Sequence, residues 1–148
     1  SKIRGYARGE IKMSGGMIVG ASSAAVAEAK IQNFVIACSD ETTDLTTGTN
    51  KVQFRVPYGF TLTDVRCSVN TAPTGSTIIV DINESGSTIL STKLSIDVSE
   101  TTSTTAATPP VISDTSLADD SIIAIDIDQI GSTVAGTGLK VVLIGTRT

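Results

Sequence analysis

Apolar residues in this chain recur with a period of two, in short runs each closed by Gly, Pro, Asn, Asp or Ser. That pattern admits strands and little else, because successive side chains of a strand point to opposite faces. KVQFRV sets Val52, Phe54 and Val56 against Gln53 and Arg55. TLTDVRCSVN repeats the alternation, with Thr63, Val65, Cys67 and Val69 as the inward set, although Leu62 breaks it. TIIVDINE places Ile78, Val80 and Ile82 on one face, and SIIAIDID turns Ile123, Ile125 and Ile127 inward with Asp126 and Asp128 outward.

Between the runs lie turn signals. SDETTDLTTGTN (39–50) reads as a loop after the opening strand IQNFVIAC (31–38), and the stretch from Phe54 to Thr92 reads as two strands joined by one turn at TAPTGS, where Pro73 and Gly75 predict a reversal. Glu84–Ser87 predicts another turn, and STILSTKLSIDV one bent strand or two short ones. Pro109 and Pro110 forbid a central strand in ETTSTTAATPPVISD, which is expected to be an edge strand or a loop. GLKVVLIG (138–145) is apolar on both faces, as a strand covered on both sides would be. About eight strands without a clear helix predict an all-β fold, an antiparallel double-sheet β-sandwich of jelly-roll type. An immunoglobulin-like sandwich is the competitor, but the chain has no tryptophan and the Cys38–Cys67 spacing is too short for its inter-sheet pair.

This sandwich domain is expected over 31–148, following an extended N-terminal arm over 1–30. The arm joins a basic stretch, SKIRGYARGEIK, to MSGGMIVGASSAAVAEA, which holds too few large apolar groups to fold alone. Its Lys2, Arg4, Arg8 and Lys12, with Tyr6 as an anchor, are read as a docking arm for an acidic protein surface. A secretory signal is a poor match because glycines and serines dilute the apolar run, which is also far short of the roughly 20 residues of a membrane span. The reading is a lost initiator methionine, a retained leader and no membrane partner.

Among 148 residues there is no histidine, which removes the commonest general base, proton shuttle and metal ligand. No serine or threonine stands in a nucleophile motif, and the GxG at Gly136 and Gly138 follows no strand that feeds a helix, so it is read as a hairpin turn. The expectation is a protein without catalytic residues or cofactors. A formal charge of −4 argues against a specific nucleic-acid partner. Asp119, Asp120, Asp126 and Asp128 have an acidic spacing that can hold calcium, yet without an EF-hand loop they are read as a solvated strand face, with no metal. Cys38 and Cys67 fit neither a zinc spacing nor a CxxC motif and are read as small buried hydrophobes, a disulfide remaining open if their strands face each other. Phe54, Tyr58 and Phe60, around Pro57, form either a rigid corner or subunit interface, or a glycan-binding platform.

FRVPYGFTLTDVRCSVNTAPTGSTIIVDINESGSTILSTKLSIDV and TTAATPPVISDTSLADDSIIAIDIDQIGSTVAGTGLKVVLIGTR together resemble a module recurrent in structural proteins of tailed bacteriophages and prophages, over about residues 51 to 148. The resemblance implies location on a virion assembled in the host cytoplasm, and brings no catalytic residues. Position on the virion is read from the chain's own architecture: only about 30 residues lie ahead of the sandwich domain, where a fibre would need a long shaft, which favours a capsid decoration, or cement, protein. Its partners would be the major capsid protein and itself, as a homotrimer. The alternative is a receptor-binding tip of a tail or head fibre that recognises host surface glycan.

Overall fold

The computed structural model describes residues 31–148, in which the alternating runs become eleven β-strands. They are β1 (Ile31–Ala37), β2 (Gly48–Arg55), β3 (Phe60–Ser68), β4 (Ile78–Glu84), β5 (Ser87–Thr88), β6 (Leu90–Thr92), β7 (Leu94–Ile96), β8 (Val111–Ile112), β9 (Ser116–Leu117), β10 (Ile122–Gln129) and β11 (Lys140–Arg147). Gln32–Thr148 form one compact unit.

One sheet has the order β1-β11-β3-β9 and the other β2-β10-β4-β5, with β7 also pairing with β4. β5 lies beside Asn83 and Glu84 and β7 beside Ile78–Val80, so the two act as one interrupted strand along the edge of β4. Between them β6 loops out to pair with β8. The resulting pairs are nested: β1 with β11, β2 with β10, β3 with β9, and β4 with its local partners. Nested pairing is what an antiparallel ribbon gives when it is rolled up, and the fold is therefore a jelly roll.

The core lies between the two sheets. Ile78, Val80, Ile82, Ile123, Ile125 and Ile127 come from one side, and Phe60, Leu62, Val65, Cys67, Val141 and Leu143 from the other, all almost fully buried. Leu62 breaks the alternation because β3 carries a bulge: Leu62 pairs with Gly145 and Asp64 with Ile144, so Thr63 is an extra residue. One extra residue exchanges the faces, letting Phe60 and Leu62 point inward ahead of it and Val65, Cys67 and Val69 inward after it.

Four expectations need correction. Thr63 is not inward but exposed, as the bulge residue, and Gly136 and Gly138 do not make a hairpin turn, because β10 and β11 on either side of them lie in different sheets. The stretch from Phe54 to Thr92 is not two strands joined by one turn, because β3 and β4 lie in different sheets. Its central loop hydrogen-bonds the Ile130–Leu139 connection instead, through Asn70 N to Thr137 O (2.8 Å) and Thr74 N to Val134 O (3.0 Å), and so crosses from one sheet to the other. The final strand is covered on one face only. Val141 and Leu143 are buried, whereas Val142 and Ile144 on the outer face are half-buried. Its apolar character reflects a central place between β1 and β3 rather than a second layer above it. Val111 and Ile112, after the two prolines, do form a short strand, and Ser85 and Gly86, both at positive φ, make the two-residue turn between β4 and β5.

Candidate functional site

The aromatic residues converge at the corner where Val56–Gly59 carries the chain from β2 to β3. The corner is tied by Val56 N to Ser121 O (3.0 Å) and Thr148 N to Gly59 O (2.9 Å). Phe60 is completely enclosed and meets Phe34 edge-on, with ring centroids 5.1 Å apart. Phe34 also contacts Tyr58 at 6.0 Å and Phe54 at 6.4 Å. The Tyr58 ring is capped by the Arg147 guanidinium, 4.6 Å from its centroid, and its hydroxyl donates to Gln32 Oε1 at 3.2 Å. Phe60 therefore offers no surface to a partner or a sugar, and the guanidinium occupies a face of Tyr58. Phe34 escaped the sequence reading, although the parity of IQNFVIAC, with Gln32, Phe34 and Ile36 on one face, carries it.

The four aspartates do not share a site. Asp120 faces Arg55 (3.2 Å), and Asp126 accepts from the Asn50 amide (2.8 Å) and from Asn83 Nδ2 (2.9 Å). Asp128, thrown outward by a bulge in β10, holds Lys93 Nζ at 2.6 Å. Lys93 also reaches the buried Asp81 at 3.3 Å, where the carboxylate accepts from Thr88 Oγ1 and from Ile82 N (2.9 Å). A lysine ammonium thus sits between two carboxylates, and hydrogen bonds to Asp128 and then Asp81 hold its pKa above the usual lysine value despite desolvation. Among the described residues no group of three or more carboxylate, thiol or imidazole side chains is placed to hold a metal ion.

Cys38 and Cys67 are both free and buried. Cys38 follows β1 and donates its amide to Leu139 O, while Cys67 pairs with Val141. The two therefore flank β11 at no less than two interstrand spacings, roughly 10 Å, beyond the Cα separation a disulfide spans. Burial pushes the Cys38 thiol up to about 11 and Cys67 up to about 12.

The most exposed apolar surface belongs to β1. Among the described residues this strand ends its sheet, next to β11, and Val35 is 70% exposed. Gln32–Ala37 contains no charge and no proline, the devices that normally keep an open edge from pairing with another chain. No helix among the described residues is long and apolar enough to cross a membrane. The docking-arm residues Lys2, Arg4, Tyr6, Arg8 and Lys12 lie outside the described residues. No protein-family model matches the chain, no curated protein matches it, and no solved structure matches it. The virion reading therefore rests on the residues themselves.

Proposed function

We propose that this chain is a structural protein of a bacteriophage virion, a decoration (cement) protein that binds the outside of the head shell. Its partners are the major capsid protein and further copies of itself, with the trimer as the expected assembly. The observation that carries this reading is the edge of β1, unpaired among the described residues, with its exposed Val35, which a neighbouring chain would cover by strand pairing and apolar contact.

Charge supports it. Residues 1–31 hold five basic and two acidic residues, a formal +3, and residues 32–148 hold six basic and thirteen acidic, a formal −7; together these make the −4 of the whole chain. A basic segment ahead of an acidic jelly roll suits attachment to an acidic shell while the sandwiches of neighbouring copies stay apart except at their edges. Several modest contacts per trimer then act as one strong attachment, which stabilises the shell by mass action without any chemical step.

Co-sedimentation with shells lacking the protein tests this, comparing the full chain with a variant carrying Lys2→Glu, Arg4→Glu, Arg8→Glu and Lys12→Glu. Saturable binding by the full chain, lost in the variant, is the expected result. Absence of binding by the unaltered protein would sink the proposal.

A further inference from the structure

The outer face of the β2-β10-β4 sheet carries a second feature, remote in role from the β1 edge. The pairing puts Gln53, Ala124 and Asn83 in one row across three strands, since Ala124 stands opposite Gln53 on β2 and opposite Asn83 on β4. A small side chain between two long carboxamides leaves a hollow, and Ala124, nearly buried, is its floor. One end is raised by the irregular stretch of β2 around Asn50, whose φ is +50°, and the other by the Ser85–Gly86 turn. The cleft so bounded is open to solvent on one side and measures about 510 Å³, within the range of small-ligand sites.

Its polar groups are already oriented. Asp126 accepts from the Asn50 amide through Oδ1 and from Asn83 Nδ2 through Oδ2, so the carboxylate is held in place and each oxygen keeps a lone pair for a further donor. The same bond fixes the Asn83 amide and leaves its Oδ1 as an acceptor. The Gln53 side chain, exposed and without a hydrogen bond among the described residues, offers both a donor and an acceptor. Ile122, half-buried, gives an apolar wall.

We propose that this cleft binds a neutral saccharide. Adjacent hydroxyl groups both donate and accept, which matches a carboxylate flanked by carboxamides, while the C–H face of a sugar ring suits the Ala124 methyl and Ile122. Charge disfavours the anionic alternatives: Asp126 repels them, and of the two cations on β2 Arg55 is committed to Asp120 while Lys51 is turned to Thr46 Oγ1 and is not part of the lining. A metal ion is disfavoured because Asp126 is the one carboxylate of the cleft and both its oxygens already accept hydrogen bonds.

The test is a titration of the isotopically labelled full chain with glucose, galactose, N-acetylglucosamine and their β-linked dimers, followed by backbone amide signals. Saturable shifts confined to residues 49–53, 83–86 and 122–126, with millimolar affinity, are expected. Gln53→Ala and Ala124→Leu, the latter filling the floor, should each weaken binding by about tenfold, or about 1.4 kcal/mol. Shifts elsewhere, no saturation with any of these sugars, or equal binding by the Gln53→Ala variant overturn the proposal. If Ala124→Leu does not fold, Gln53→Ala decides alone, since that side chain is exposed and supports nothing else. Shell binding is measured separately, so failure of either reading leaves the other standing.

Discussion

Single residues in this protein are held by burial more than by reactivity. Both thiols titrate far above an ordinary cysteine because burial disfavours the thiolate. Well below pH 9, at pH 7, both the folded and the unfolded chain keep them protonated. Between pH 9 and about 11 the unfolded chain releases both protons and the folded one keeps them, so stability should fall by about 1.4 kcal/mol per pH unit for each thiol. Denaturant unfolding across this window should show the fall, and the Cys38→Ala/Cys67→Ala variant should show a flatter profile; equal slopes would remove the thiols from the account. A thiol reagent should label neither cysteine in the native state. Lys93 acts in the same direction at higher pH, since its raised pKa means that the stability it contributes is lost as pH rises through that value. Lys93→Met leaves Asp81 buried without its counter-ion, and a loss of about 1–3 kcal/mol is expected in urea unfolding at pH 7.

At the scale of elements, the bulges set which side chains face where. Gly145 lies opposite the bulge of β3, where a Cβ would overlap the Thr61 carbonyl oxygen. Gly145→Ala should therefore cost about 2–4 kcal/mol, read as a lowered urea midpoint; a variant as stable as the parent would show that the two strands separate easily there. This bulge was legible in the sequence only as an anomaly at Leu62. Strands β4 and β10 were fully legible, because the alternation of Ile78, Val80 and Ile82, and of Ile123, Ile125 and Ile127, is uninterrupted and their inward faces are entirely buried. The aromatic corner was half legible. Phe54, Tyr58 and Phe60 are close in sequence, but Phe34 and Arg147 arrive from β1 and β11, and no local pattern announces that arrival.

Across the whole molecule, the nested pairing brings the first described strand beside the last. β11 lies in the middle of its sheet and contributes Val141 and Leu143 to the core. Ending the chain at Thr137 should accordingly abolish cooperative unfolding rather than trim an edge, checked by thermal unfolding of the shortened protein. For the same reason folding should be slow, in milliseconds to seconds, because loops of high sequence separation must close before any sheet is complete. Stopped-flow refolding reports the rate directly, and a microsecond phase carrying the full amplitude would contradict the topology as the controlling factor.

The sequence by itself determined strand class, most strand positions and most of the inward set of side chains, Leu62 and Thr63 at the β3 bulge excepted, because the two-residue period is a local property of extended backbone. It also determined the absence of histidine chemistry and the division of charge between a basic start and an acidic remainder. Tertiary structure alone decided which strands pair, and with that three further matters. It enclosed Phe60 within the aromatic corner, separated the two cysteines by a strand, and aligned Gln53, Ala124 and Asn83 into one hollow. The physical reason is common to all three. Each depends on contacts between residues far apart in the chain, set by hydrogen-bond register across strands, and register is chosen by the burial of the whole core at once.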